Sequence, residues 1–286
     1  MSIYISNDLY LQDIQANIPN RPLVGYRSVL RPSDISPSPE NPDSPGSNTW
    51  SPDTYTSWQS LTDPDFPLDQ EVDLINAGAD PIDYIAIAGH NFGTSGVTYS
   101  IESASDGINF DTVVVAPKIV GSDASIIEYF DESQHAKFRI VFLIPAAKFV
   151  KISHIKMGKI LQLERPRYVN ETPAGMDVQT EMIRSKSDSG QIVSSVLTSS
   201  HLRYNISQNH NLPAKIRAEI IDLLRHCQLL EPTAGNGPRG TFFYAWRPDT
   251  YPAEVMYCDT PSSVTNPSNQ LSNGMMEFSL SGTGVK

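Results

Sequence analysis

LDQEVDLINAGADPIDYIAIAGHNFG, residues 68–93, contains two strand signals joined by a turn. In residues 68–74, three acidic residues alternate with four residues suited to a buried face, which predicts a half-buried strand. Residues 83–88 are a short apolar run, typical of a strand that is buried on both faces. Residues 89–93 follow as a tight turn. The two patterns together predict a β-sheet that packs against a core.

Further short strands follow at regular spacing, with turn signals such as SDG at 105–107 between them. We predict strands at 97–102, 112–116, 125–130, 137–144 and 149–163. In residues 137–144, one face carries only large apolar side chains: Phe138, Ile140, Phe142 and Ile144. Short strands at this spacing are typical of a β-sandwich.

Residues 31–67 contain a proline every few residues, so neither a helix nor a sheet ladder is expected to run through them. Their composition alone is that of a disordered linker. Four large aromatic residues argue against disorder: Trp50, Tyr55, Trp58 and Phe66. Because aromatic side chains of this size are usually buried, we predict an ordered loop that wraps around the sandwich.

The sequence pattern changes near residue 164, where residues 165–173 read as a connection between domains. We therefore predict two domains, a β-sandwich over 1–163 and an α+β domain over 164–286. The second domain has one main helix at about 212–230, marked by apolar residues at helical spacing. Strands precede and follow this helix, and the fold class is mainly β. The Gly-rich segment 235–240 is expected to connect the helix to the next strand.

The charge balance excludes some classes of partner. The chain has 286 residues and a formal net charge of −11, so neither nucleic acid nor an anionic membrane surface is expected to bind it. No stretch approaches the ~20 apolar residues of a transmembrane helix. The N-terminus lacks a signal peptide, which predicts synthesis in the cytoplasm. Cys227 and Cys258 are predicted to be buried thiols.

No constellation of catalytic residues is visible, so we expect no enzyme activity and no cofactor. The histidines lack metal-ligand spacing, and no metal site is predicted. A calcium site among the carboxylates of residues 63–83 is a minor alternative. His90 lies in a turn, where it could contribute to a functional site or only form a hydrogen bond that stabilises the turn.

Trp58-Gln59-Ser60 stands before a predicted strand, and residues 68–93 follow with the strand of alternating acidic and inward-facing residues. The segment YSIESASDGINF comes next, at 99–110. This order resembles discoidin-like (galactose-binding-like) domains, and the resemblance implies a jelly-roll sandwich. Many such domains bind glycans through loops at one end, whereas others are purely architectural. The candidate contacts to a glycan or a partner protein are Trp50, Tyr55, Trp58 and His90. Exposed rings at Trp50 or Trp58 would favour glycan binding, and buried rings an architectural role.

TFFYAW at 241–246, YPAEVMYC at 251–258 and MMEFSLSG at 275–282 are similar to the final strands of phage tail-tip and distal-tail proteins. The resemblance implies a structural virion protein, made in the host cytoplasm, that forms an oligomeric ring around the tail axis. Its partners would be further copies of itself and other tail proteins of the tube, hub and fibres. The alternative function is a carbohydrate-binding module for attachment to the host surface.

Overall fold

The computed structural model describes residues 21–39, 41–163, 176–211, 213–228, 240–268 and 276–285. The predicted fold class is confirmed, since the chain is mainly β, with a jelly-roll sandwich and one main helix. The predicted connection at 165–173 and most of the Gly-rich segment 235–240 lie outside these residues. No helix in the described part of the chain is long and apolar enough to cross a membrane.

The sandwich consists of a five-stranded antiparallel sheet that packs against a three-stranded sheet and a short strand pair. In order across the large sheet, its strands are β2 (Ile35–Ser38), β4 (Leu68–Ile75), β9 (Lys137–Ile144), β6 (Thr98–Ala104) and β7 (Thr112–Ile119). The opposing sheet is β11 (His154–Gly158), β5 (Ile82–Ala88) and β8 (Ile126–Ser133). A short pair, β3 (Trp58–Gln59) and β10 (Lys151–Ile152), lies beside them.

The core of the sandwich follows from the alternation of side chains along its strands. All four apolar residues of one β9 face are fully buried, and β5 is buried along its whole length, as the sequence predicts. On β4, Val72 and Leu74 face the core, whereas Arg139 of β9 bonds Asp73 on the outer face at 2.7 Å. Residues 31–39 and 41–67 contain two 3-10 turns, Pro32–Asp34 and Gly46–Trp50. Against the expectation that no sheet ladder runs through this segment, it also contributes β2 and β3. β2 lies at the edge of its sheet, where a proline such as Pro37 is tolerated because no further strand needs its missing N–H.

The second sheet crosses the predicted domain boundary. Its order is β12 (Leu161–Gln162), β1 (Leu23–Gly25), β15 (Phe242–Ala245), β16 (Val255–Cys258), β18 (Met276–Val285), β14 (Ile192–Asn211) and β13 (Val178–Lys186). A further strand, β17 (Ser263–Ser268), also pairs with β18. Strands β1 and β12 precede residue 164 in the chain, yet β1 pairs with β12 on one side and with β15 on the other.

A shared core joins the two halves of the chain. Tyr84 of β5 is fully buried in the same apolar cluster as Phe243 and Tyr257 of the second sheet. His154 of β11 stacks on Phe243, with ring centroids 6.1 Å apart and planes within 4°. The division at residues 163 and 164 stays a prediction, but the sequence on either side of it contributes to one continuous sheet and one junction core.

The main helix, α2, runs through three consecutive segments, Pro213–Lys215, Ile216–Ile220 and Ile221–Cys227, of which the middle one has π geometry. Proline at its start is favoured because the first helical N–H groups have no partner within the helix. The described part of the predicted apolar stripe is buried against the second sheet: Ile216, Ile220, Leu223, Leu224 and Cys227. The last residue of the predicted stripe, Leu230, lies outside the described residues. Cys227 and Cys258 are both free and buried, as predicted.

Candidate functional site

Five connecting segments meet at one end of the sandwich, which we call the loop end. They are residues 51–57, 60–67, 89–97, 120–125 and 145–150. A short helix, α1 (Phe92–Ser95), lies in the third segment. Loops held on a rigid sandwich are common places for binding residues.

Hydrogen bonds tie these segments together. Ser60 N donates to the Val150 carbonyl at 2.9 Å, and Val150 N donates to Ser60 Oγ at 2.8 Å. Ser153 Oγ donates to the carbonyls of Thr54 and Gly89 at 3.2 and 3.1 Å. Asn91 Nδ2 donates to the Phe149 carbonyl at 3.0 Å. These hydrogen bonds hold the loops of the loop end in place relative to one another. The backbone positions that carry its exposed side chains are therefore fixed.

The two tryptophans named as candidate contacts pack inward. Trp58 is 1% exposed, and its ring lies 6.1 Å from that of Phe142 in the sandwich core. Trp50 is half-buried against the same core and donates from Nε1 to the Leu30 carbonyl at 3.1 Å. Large rings at a sandwich edge gain more by filling the core than by facing water. Trp58 therefore meets the criterion for an architectural role set from the sequence, and Trp50, which is half-buried, meets it only in part.

His90 is buried as well, with 5% of its surface exposed. Its ring stacks on Phe92 with centroids 4.2 Å apart, and its Nδ1 accepts a hydrogen bond from Phe92 N at 3.3 Å. Burial lowers the pKa of His90 to about 4, against the opposing effects of the Ala124 backbone and the Asp123 carboxylate. His90 is thus a neutral, buried histidine that bonds the turn, the second of the two alternatives left by the sequence.

Tyr55 is the one predicted contact that faces solvent, with 93% of its surface exposed. Two further rings at the loop end, not predicted as contacts, are Phe66 at 68% and Phe149 at 41% exposed. Their loops are joined where Ala147 N donates to the Asp63 carbonyl at 2.8 Å. The prediction that the four large aromatic residues of 31–67 are buried is therefore wrong for Tyr55 and Phe66. In Phe66 the ring turns outward from a loop whose own backbone bonds Asp63. No local sequence signal separates its outward ring from the inward ring of Trp58.

The carboxylates near the loop end are engaged in local bonds. Asp53 accepts hydrogen bonds from the Ser51 hydroxyl and from the backbone of Thr56 and Tyr55, and these bonds, that from Ser51 first, lower the pKa of Asp53 to about 2. Asp63 Oδ1 similarly accepts from the backbone of Phe66 at 3.1 Å. Among the residues that the structure describes, no group of three or more acidic, histidine or cysteine side chains is placed to hold a metal ion.

A cleft of about 1010 Å³ lies where the sandwich meets α2 and the second sheet. Its cations face neighbouring carboxylates: Arg27 Nη2 lies 2.8 Å from Asp222 Oδ2, and Lys159 bonds Asp83 and Glu132. The charges of the cleft are thus largely matched from within the chain.

A second candidate site is a long hairpin, formed by β13 and the start of β14 over residues 178–200, which we call the arm. β14 reaches the third strand, β18, only from Leu202 onward, where it pairs with Gly284. Within the described residues, the arm therefore consists of two strands paired only with each other. All nine residues of β13 are exposed.

The arm carries large apolar side chains on both faces. Met182 pairs with Leu197 on one face, and Ile183 pairs with Val196 on the other. Seven large apolar residues of the arm are between 50% and 68% exposed: Val178, Met182, Ile183, Ile192, Val193, Val196 and Leu197. The sequence predicts strands here, but not that these strands extend away from the body of the protein.

No family model and no curated protein matches the chain. Among solved structures, CpGH89CBM32-5 from Clostridium perfringens, in complex with GalNAc-β-1,3-galactose, matches with a TM-score of 0.40 and 16% identity. The match covers 46% of this chain and 100% of that one. The family 32 carbohydrate-binding module of C. perfringens NanJ, in complex with galactose, matches with a TM-score of 0.38 and 17% sequence identity. That match covers 47% of this chain and 98% of the module. At these identities and TM-scores, we base the function on the geometry of this chain.

Proposed function

We propose that this chain is a structural subunit of a larger protein assembly and that the arm anchors it there. The observation that carries the proposal is the set of seven exposed apolar side chains on a two-stranded arm. A soluble monomer rarely displays a contiguous apolar surface of more than a few hundred Å², and larger surfaces mark interaction sites.

Energetics support burial of the arm in a partner. An isolated two-stranded hairpin is marginally stable in water, and it gains stability when a third strand or another surface covers it. Burying the exposed half of a large aliphatic side chain contributes about 1 kcal/mol. Seven such side chains together supply several kcal/mol toward ordering the arm and holding a neighbouring subunit, against the entropy cost of association.

The resemblance of residues 241–282 to phage tail proteins gives the assembly we propose, the tail tip or baseplate of a tailed bacteriophage. In this role the chain is a non-enzymatic virion protein that connects the tail tube to distal tail proteins. The shared junction core supports a load-transmitting role, because Tyr84, Phe243 and Tyr257 join the sandwich to the second sheet.

Incorporation into particles tests this proposal. Ile183→Lys with Val196→Glu replaces a cross-strand apolar pair by an ion pair, so the hairpin keeps its pairing and the chain keeps its net charge. We expect this variant to be lost from phage particles assembled in its presence, as measured by immunoblot of purified particles. The control, Val113→Lys with Ile119→Glu, changes two apolar residues of β7 with similar exposure.

Equal incorporation of the arm variant and the β7 control would contradict the proposal. A normal unfolding midpoint for both variants shows that any loss comes from the surface and not from misfolding, since exposed substitutions usually change stability by less than ~0.5 kcal/mol.

A second function, glycan binding at the loop end, is favoured by the exposed rings of Tyr55, Phe66 and Phe149. An aromatic face packs well against the apolar C–H face of a sugar ring, and the bonded loops hold the three rings on a fixed framework. The two functions are compatible, because the arm and the loop end are different surfaces.

Glycan-array binding by the purified chain tests this second function. We expect Tyr55→Ala and Phe66→Ala each to weaken binding about tenfold, the effect of losing one ring contact of ~1.4 kcal/mol. Leu143→Ala, a half-exposed residue of β9, is the control that keeps full binding. Absence of binding to any glycan by the unmodified chain would leave the sandwich with an architectural role only.

A further inference from the structure

We infer that His154 is a pH switch, whose protonation in mildly acidic solution opens the junction between the sandwich and the second sheet. The inference goes beyond the proposed function, because it concerns the junction core and not the arm. The position of His154, its hydrogen bonds and its surroundings support it.

His154 lies on the buried outer face of β11. Side chains alternate along a strand, and Ile155 and Met157 belong to the sandwich core. His154 therefore faces the second sheet, where its ring stacks on Phe243. The residue paired with it on β5 is Ala88, whose small side chain belongs to the junction core. A titratable ring thus packs where two parts of the protein meet.

The hydrogen bonding of His154 fixes its uncharged form. Nδ1 lies 3.1 Å from the Thr49 carbonyl oxygen, and because a carbonyl only accepts, Nδ1 carries the proton of the neutral ring. Nε2 is then the basic nitrogen, and it is buried without a hydrogen bond within the described residues. The ring is fully buried, with the centroids of Phe243 and Tyr257 6.1 and 5.2 Å away. Burial raises the pKa of Tyr257, which is therefore uncharged.

The surroundings of His154 oppose its protonation on balance. Burial is the largest cause and lowers the pKa of His154 to about 3, and the charge of Lys156 on the same strand acts in the same direction. The backbone of Ser51 and Thr49 and the carboxylate of Asp53 act in the opposite direction. His154 is thus neutral in the closed junction, whereas an exposed histidine has a pKa of about 6.5.

Opening of the junction is therefore coupled to proton uptake. Below about pH 6.5 the exposed ring binds a proton, which the closed junction excludes down to about pH 3. The closed state loses stability as the pH falls through this window. Between pH 7 and pH 5 the population of the open state rises about twentyfold. Lys156 adds little to this change, because its pKa in the closed junction is about 7 and below that value it is charged in both states.

The switch also acts on the loop end. His154 holds Thr49, and Tyr257 donates from its hydroxyl to the Pro52 carbonyl at 2.6 Å. Tyr55 follows in the same segment. Protonation of His154 therefore loosens residues 49–52 together with the second sheet. Its consequence for glycan binding rests on the second proposed function, whereas opening of the junction does not.

Thiol labelling of the folded chain tests the inference. Val255→Cys places a thiol in the junction core on β16, at a position that is 3% exposed. A dithiodipyridine reagent labels thiols in acid as well as at neutral pH. We expect the labelling rate of this thiol, relative to the same chain with His154→Gln, to rise about twentyfold from pH 7 to pH 5. Glutamine keeps an N–H donor for the Thr49 carbonyl but has no basic nitrogen.

Two controls separate the switch from general acid unfolding. His90→Gln removes another buried histidine, whose pKa burial lowers to about 4 and which stacks on Phe92 in the sandwich. A chain with this change should keep the full rise. The native Cys227 and Cys258 belong to the core between the second sheet and α2, and they should label slowly at both pH values.

An equal rise with and without His154→Gln would overturn the inference, because other groups would then cause the acid response. His154→Phe, which keeps a stacked ring, must give the same result as His154→Gln and replaces it if the glutamine variant does not fold. Labelling of Cys227 and Cys258 at the rate of the Val255→Cys thiol would also overturn it, since acid would then unfold the second sheet. A chain without the switch that still requires its arm to enter phage particles leaves the proposed function intact.

Discussion

Replacing Trp58 by alanine should lower the free energy of unfolding by about 3–5 kcal/mol, the range measured for truncating a large buried ring. Trp58 is the first residue of β3, where it pairs with Ile152 of β10, and its ring is 1% exposed and lies against Phe142 in the sandwich core. Truncation leaves a cavity that the surrounding strands fill only in part. Urea unfolding followed by far-UV circular dichroism measures the loss.

Tyr55→Ala is the matched control, because Tyr55 is an aromatic residue three positions away that is 93% exposed. We expect its effect on stability to stay within ~0.5 kcal/mol. Equal stability of the two variants would show that Trp58 lies at the surface, and would restore it as a ligand contact.

Lys156 should make stability rise with pH above neutrality. It is fully buried on β11, donates to the Thr241 carbonyl, and lies 3.4 Å from the Tyr26 carbonyl. Burial lowers the pKa of Lys156 from 10.5 to about 7. Between these two values the unfolded chain holds a proton that the folded chain has released, so folding is favoured as the pH increases. The full shift corresponds to about 5 kcal/mol.

The window for this measurement is pH 7 to 8.5, where the rise should reach about 2 kcal/mol. Above it, buried groups such as Cys227, whose pKa burial raises to about 12, act in the opposite direction. The slope of unfolding free energy against pH should disappear in Lys156→Met and remain in Lys159→Met, a partly exposed lysine. An unchanged slope in Lys156→Met would show that Lys156 keeps its charge in the folded protein throughout this window.

The sequence predicts the strands and the helix because each pattern arises from local geometry. The two-residue period of residues 68–74 and the apolar face of 137–144 both correspond to strands in the sandwich. The helical stripe from Ile216 to Cys227 likewise faces the core. These signals depend only on which side chains share a face of the strand or helix. The spacing of residues a few positions apart in the sequence determines this.

Contacts between distant residues leave no comparable local signal. β1 is three residues long, and its place beside β15 depends on Leu23 meeting Ala245, more than two hundred positions away. The burial of Trp58 and the exposure of Phe66 are equally decided by the loops around them. The arm is a further example. Residues 178–200 have an ordinary strand pattern in the sequence, and only the sheet order shows that, among the described strands, none pairs with the arm besides its own two.

Hydrogen–deuterium exchange at residues 182–197 tests most directly whether the arm anchors the chain in an assembly. In the dilute free chain, amides of an uncovered two-stranded arm should exchange rapidly, because they open locally at little cost. In assembled particles, we expect strong protection of these amides, while the buried strand β5 is protected in both states. Rapid exchange of the arm in the particles, with β5 still protected, would contradict it.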